Sequence, residues 1–437
     1  MSSSTTHPSR AAASSGAAKR GKTQMTARGA GMLACGVLLT VLGVGLATPV
    51  LVHIGVVVTC AVTVAWIWVL LAVDSFLRAF PHARRVVTPH PLTAGGPGSV
   101  SVVIESTRAR RKRWVSSVAD RLDIREQAAA ELTGGIGTKA TVMREPGRLE
   151  LSYALHPARR GRWPLGPSLV RSADPFGMFV SSTPVGQPQL VPVWPAVVDL
   201  SATAGALMGH ADRIVLGART PSPDDASLRD YREGDDLRRV HWPSTARRGT
   251  MLVRSDERAG RRPATVIIDL PREPAALERT ISAAASIAVS VLDSGHPVRL
   301  LGAGLHAQSS RHLGEHGTAA ARFHLLNETV DLVAPATRAA ASAQLITAAM
   351  LAADEATQGE VTVAIVEPLE RAALDALAPL GDAGRAWALV RADGILGDDA
   401  RFTVKSLRRS GWRAMTVRAQ DDLAELWTRI LTAGDIE

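Results

Sequence analysis

The chain has 437 residues and a formal charge of +9, enough length for two or three domains. Five of the nine positive charges are Arg10, Lys19, Arg20, Lys22 and Arg28, with no acid among residues 1–28. The rest of the chain is close to balanced, which excludes the concentrated basic face that nucleic acid requires. Both cysteines, Cys35 and Cys60, lie in an apolar stretch, so a disulfide framework and a thiol nucleophile in the soluble part are excluded as well.

Residues 1–28 are rich in Ser, Ala and Thr and hold little to bury, which predicts a disordered basic tail. Between residues 29 and 73 the only Asp, Glu, Lys, Arg or His is His53. One helix over that stretch would be about twice the roughly 30 Å of a hydrocarbon core. Thr48-Pro49 interrupts the run, so the expectation is a transmembrane hairpin over 29–73 with helices 29–47 and 50–73. Lys19, Arg20, Lys22 and Arg28 precede it, and Arg78, Arg84 and Arg85 follow it. The positive-inside rule then predicts a multi-pass protein of the cell membrane, in contact with lipid, with both termini and the soluble domains in the cytoplasm. Gly36, Gly43 and Gly45 would let the helices approach closely. Trp66 and Trp68 mark the approach to the interface.

Over 97–195, Val100, Val102 and Ile104 alternate with polar neighbours, as do Leu149, Leu151, Tyr153 and Leu155, and this period of two predicts a small, Ig-like antiparallel β-sandwich. Residues 196–260 form a linker and a charged segment. From 261 to 437, apolar strand runs at 264–269, 298–302, 361–366, 385–390 and 413–417 alternate with helical stretches such as 275–292, 370–378 and 423–431. That alternation predicts an α/β, Rossmann-like domain with a mostly parallel sheet.

In the charged segment, Arg229, Tyr231, Gly234, Asp235, Asp236, Arg238, Arg239, Trp242, Ala246 and Arg247 fall in the pattern Leu-Arg-x-Tyr-x-x-Gly-Asp-Asp, then an apolar residue with Trp, then Ala-Arg. This closely resembles the signature of the bacterial family called domain of unknown function fifty-eight. Arg159-Arg-Gly-Arg-Trp-Pro-Leu-Gly166 and Asp174-Pro-Phe-Gly177 are similar to that family's sandwich region. The resemblance implies membrane anchoring, a sandwich and a domain similar to von Willebrand factor A; because family members are typically encoded beside a MoxR-type AAA+ ATPase, and often beside a transglutaminase-like membrane protein, it also implies these as partners. It implies no settled activity.

The interleaved acids and guanidiniums of this segment read first as an ion-pair latch that turns Asp235, Arg247 and Trp242 inward. A docking surface is the second reading, and a metal or catalytic site on Asp235, Asp236 and His241 the third. A metal-binding von Willebrand A domain would place Asp-x-Ser-x-Ser at the end of the strand reaching Asp269. Here Leu270, Pro271, Arg272 and Glu273 follow, so both hydroxyls are missing and Asp269 is a degenerate ion-site position. Gly134-Gly-Ile-Gly-Thr-Lys139 lacks phosphate-loop spacing. His306, His312, His316 and His324 match no familiar metal set, and the basic run Arg108–Arg113 reads as a solvated loop. The function expected is therefore a non-enzymatic, membrane-anchored interaction or scaffold protein, without cofactor, catalytic residues or bound metal. The alternatives are a metal-dependent hydrolase using Asp235, Asp236 and His241, and an ion-dependent adhesion module.

Overall fold

The structure is a computed structural model that describes residues 22–79, 83–105, 123–135, 140–145, 148–201, 228–230, 240, 242–254, 263–357, 360–381, 385–394 and 397–432. It divides into two compact units. The first runs to Leu92 and adds Gly96–Ala158 and Arg162–Val191, while the second comprises Thr93–Gly95, Arg159–Gly161 and Pro192–Glu437. The boundary expected near residue 195 is thus crossed by two short segments that group with the second unit.

In the first unit, α1 (Ala27–Gly45) and α2 (Pro49–Ala79) are both long and apolar enough to cross a membrane. The chain reverses between them where Ala47 takes φ 52° and Thr48 N–H donates to the Gly43 carbonyl (2.9 Å). Glycines allow the two helices to touch. A methyl added at Gly36 would lie 2.8 Å from Thr59 Oγ1, and one at Gly43 would lie 2.7 Å from Val52 N. Gly45, expected to share this role, has open space around it, and Gly55 of α2 makes the close approach to α1 instead, while Gly29 lies against Met178.

The disordered tail expected over residues 1–28 is corrected from Lys22 onward, and residues 1–21 lie outside the described residues. Lys22–Met25 is a strand, β1, and Thr26 caps α1 by accepting from Gly29 N–H. β1 pairs antiparallel with β9 (Phe179–Val185), from Lys22↔Ser182 to Met25↔Phe179. The sheet that contains them has the order β1-β9-β8-β10-β3 with β5 on β8, the others being β3 (Leu92–Thr93), β5 (Asp123–Ala128), β8 (Gly161–Ala173) and β10 (Gln189–Trp194). A second, antiparallel sheet has the order β2-β4-β7-β6, formed by β2 (Ala83–Thr88), β4 (Gly98–Glu105), β6 (Thr141–Glu145) and β7 (Arg148–Leu155). Its alternating apolar residues are buried as the sequence predicts, Val100, Val102 and Ile104 on β4 and Leu149, Leu151, Tyr153 and Leu155 on β7. Between β5 and β6 a short helix, α3 (Ala130–Thr133), ends on Gly134 at φ 63°, a conformation glycine adopts without strain.

Arg85 is not the free membrane-flanking cation that its position suggests. Its guanidinium, 3% exposed, pairs with Glu126 (2.6 Å, 2% exposed) and donates to Ser168 Oγ and the Gln187 carbonyl. That pairing ties β2 of one sheet to β5 and β8 of the other.

The second unit holds a six-stranded sheet, ordered β15-β14-β13-β16-β17-β18: β13 (Ala264–Ile268), β14 (Val298–Gly302), β15 (Leu305–Gln308), β16 (Val361–Val366), β17 (Ala386–Arg391) and β18 (Arg413–Val417). All its pairings are parallel except that of the edge strand β15. Strands buried on both faces read as unbroken apolar runs rather than alternating ones, and β13 and β16 are buried at every residue. Val266 and Ile268 of β13 share a core with α5 (Pro274–Asp293), α6 (Ser310–Thr329) and α10 (Leu423–Thr432). Ile267 faces the other way, into a core with α7 (Arg338–Asp354), α8 (Arg371–Gly381) and α9 (Gly397–Arg409). Although α5 is also apolar enough to cross a membrane, 67% of its most apolar window is buried in this unit.

Candidate functional site

Ligands of open α/β sheets gather outside the carboxyl ends of the strands, where neighbouring strands lead off to opposite faces. Here that place is the gap between β13 and β16, because the chain leaves β13 for α5 on one face and enters β16 from α7 on the other. Asp269 closes β13 and Glu367 closes β16. Asp269 is 8% exposed and its Oδ2 accepts the Glu367 N–H (3.2 Å). Its Oδ1 is buried without a hydrogen-bond partner among the described residues. Burial disfavours the charged form, and with a smaller contribution from the neighbouring Glu367 charge it pushes the Asp269 carboxyl up to about 6, against the opposing pull of the Glu367 N–H.

Beside Asp269 lies a cavity of about 20 Å³ lined by Arg338, Ser342, Glu367, Pro368 and Ala373, room for one water-sized group. The rim is mixed in charge. Arg391 pairs with Glu367, and its Nη1 lies 3.9 Å from Glu273. Arg279 reaches Asp393 (3.4 Å) and Glu273 (3.9 Å). Glu273 caps α5 by accepting from Ala275 and Ala276 N–H, and these bonds hold its carboxyl below the usual range. Glu273 thus caps the helix, while Asp269 spans the mouth between two strands. Among the described residues, no three His, Cys, Asp or Glu side chains form a metal-binding group. Glu367, Arg391 and Arg338 were not singled out from the sequence, yet each charge that ends an all-apolar run, as in VTVAIV-Glu367 and AWALV-Arg391, signals the same strand-end rim.

The charged segment upstream is described in part. Arg229 belongs to β11 (Leu228–Asp230), which pairs antiparallel with β12 (Leu252–Arg254). Tyr231, Gly234, Asp235, Asp236, Arg238, Arg239 and His241 lie outside the described residues, as do Arg108–Arg113. A helix, α4 (Trp242–Arg248), follows. Trp242 is 59% exposed and Ala246, Arg247 and Met251 are also exposed, so Trp242 and Arg247 do not turn inward as a latch requires.

Two upstream motifs have structural work to do. Arg160, buried, donates to Glu278 Oε1 (3.0 Å) and to the Leu332 carbonyl, all within the second unit. Asp174, also buried, accepts from Phe176 N–H (2.8 Å) and Phe179 N–H (2.6 Å) in the first unit. Of the histidines, His312 stacks on His324 with centroids 4.2 Å apart, and His316 lies 6.4 Å from His312. Gly317 at φ 81° breaks α6 and brings them together.

A chain with two apolar helices able to span a membrane, followed by sheets of mixed kind and an α/β unit, is the class this structure defines. Residues 227–363 match the family model described as Protein of unknown function DUF58. The match takes in the charged segment, Asp269 and the first three strands of the α/β sheet together with the start of β16, and it leaves Arg159–Gly166 and Asp174–Gly177 outside. No curated protein matches the chain.

Proposed function

We propose that the chain is a non-enzymatic, membrane-anchored interaction protein that presents the charged segment to a cytoplasmic partner, a MoxR-type AAA+ ATPase. The observation that carries this reading is the exposure of Trp242 (59%) within the family-matched segment. Trp387 and Trp427 in the same unit are fully buried. An indole left in water on the same helix as exposed Arg247 supplies two of the residue types that dominate binding hot spots.

Anchoring is supported by α1 and α2, and the sidedness by β1. Because Lys22–Met25 pairs with Phe179–Ser182, both ends of the hairpin lie on one side of any bilayer that the helices cross. The basic residues Lys22, Arg28 and Arg84 favour the cytoplasmic side. The two sheets of the first unit, bridged by Arg85, support a β-sandwich. The sheet order with β13 at its centre supports a von Willebrand A-like unit, and Leu270, Pro271, Arg272 and Glu273 after Asp269 speak against an ion-dependent one.

The test is retention of the ATPase by the full-length protein in lipid nanodiscs. Trp242→Ala is expected to weaken retention by about 30-fold, the equivalent of about 2 kcal/mol, with melting temperature unchanged. Undiminished retention would remove the reading.

A further inference from the structure

The turn Asp174–Gly177 stands against the first turn of α1. Thr26 N–H donates to the Met178 carbonyl (2.8 Å), and Thr26 Oγ1 donates to the carbonyls of Gly177 (2.7 Å) and Met178 (3.0 Å). With a rise of about 1.5 Å per residue, the apolar run that begins at Gly29 lies within about 5 Å of this turn along the helix axis. The turn is held rigidly, since Asp174 accepts from Phe176 and Phe179 N–H and its own carbonyl accepts from Gly177 N–H (3.1 Å). Phe179 and Met178 are buried in one cluster with Val62, Ala65 and Val69 of α2. Phe176, between them and Asp174, is instead 64% exposed.

The depth of this turn follows from the helix register. Gly36 faces Gly55 and Thr59, and Gly43 faces Val52, so the start of α1 is level with residues near Ala65 on α2. The apolar part of α2 continues past that level to Val73, about 12 Å further at about 1.5 Å per residue. On the side away from the sheet it exposes Trp66, Ile67, Leu70 and Leu71. Lipid that covers those four side chains reaches the height of the turn. Exposed Lys22 and Arg28 flank it, as basic residues do at an anionic headgroup layer.

We propose that Phe176 is a membrane foot: its ring lies at the boundary between headgroups and acyl chains, and the edge of the β1/β9 sheet rests on the bilayer surface rather than standing off in water. Aromatic rings favour that boundary. Resting on the spanning reading of α1 and α2, the inference adds a second, peripheral contact with lipid that fixes the tilt of the first unit.

The experiment uses the full chain with Cys35→Ser and Cys60→Ser, reconstituted in nanodiscs of phosphatidylcholine and phosphatidylglycerol, with a nitroxide on Phe176→Cys or on Val57→Cys. Val57, 66% exposed at mid-helix, reports the spanning reading by itself. Collisions with oxygen, which partitions into lipid, are compared with collisions with a polar nickel chelate. The Phe176 label is expected to favour oxygen over the chelate several-fold more than the free label in buffer does, and less than the Val57 label. A Phe176 label as open to the chelate as the free label overturns the foot while leaving the span intact. Shielding from both reagents overturns it too, because protein and not lipid would then cover the ring. If the Val57 label itself reads as aqueous, the span fails and the foot with it.

Discussion

A carboxyl group pushed up to about 6 at a strand end gives a measurable dependence on pH. The Asp269 carboxyl is neutral in the fold at a pH where the same group in an unfolded chain, at its ordinary value of 3.8, is charged. Folding therefore takes up a proton between those values. Stability contributed by the neutral acid is present in full below about pH 4 and is lost as pH rises through about 6. Asp269→Asn should remove that slope, raising stability by up to about 3 kcal/mol at pH 7 to 8 and by little at pH 4. Unfolding of both forms across this range checks it, and parallel curves would show that Asp269 does not titrate as its burial implies.

Arg85 and Glu126 make the opposite case, since both charges are buried but each satisfies the other. Removing Glu126 alone strands a guanidinium, so Glu126→Ala should cost about 3 to 5 kcal/mol, while the double change Arg85→Met with Glu126→Leu should cost far less. Thermal unfolding in detergent distinguishes the two. Nothing in the sequence marks this pair, because Arg85 sits where membrane proteins keep solvated cations and its partner is 41 residues away.

Among the elements, the hairpin depends on residues with no side chain. Gly36→Leu must push the helices apart at Thr59 and Gly55, whereas at Gly45 an added Cβ meets nothing within 4 Å, so Gly45→Leu starts into open space. A loss of about 1 to 2 kcal/mol at position 36, and almost none at 45, is expected from unfolding titrated with SDS. Which glycines matter was not legible in advance, since the register of α1 on α2 depends on where the chain turns, and Ala47 sets that. The strands with strong patterns were legible: Val100, Val102 and Ile104 by alternation, Val361–Val366 by its unbroken apolar run. β1 was not, because Lys-Thr-Gln-Met carries no apolar period and is a strand only through β9. Nor was the fold-back at Gly317 that stacks His312 on His324, which spacing along a straight helix would keep about 18 Å apart. Of the candidate site, Asp269 was legible as a strand end, but its exchange with Glu367 across the sheet depends on strand order, and the outward face of Trp242 on tertiary placement.

At the scale of the whole molecule, sidedness is the first thing to measure. In a chain lacking Cys35 and Cys60, cysteines at Thr23 and Ser99 should react with an impermeant reagent only after the membrane is opened, and one at Thr48 should react from outside. Labelling of Thr23 and Ser99 from opposite sides would contradict the β1–β9 pairing as well as the cytoplasmic assignment.

That pairing also sets an order of events during synthesis. Thr23 and its partner Ser181 are 158 residues apart, so at about 5 to 20 residues per second the ribosome needs roughly 10 to 30 s to deliver β9 once β1 has emerged. Throughout that interval the hairpin can enter the bilayer while β1 waits, unpaired, at its foot. One of the first strands made is therefore among the later ones to be matched, and the membrane, by holding it at the foot of the hairpin, narrows the volume in which β9 has to find it.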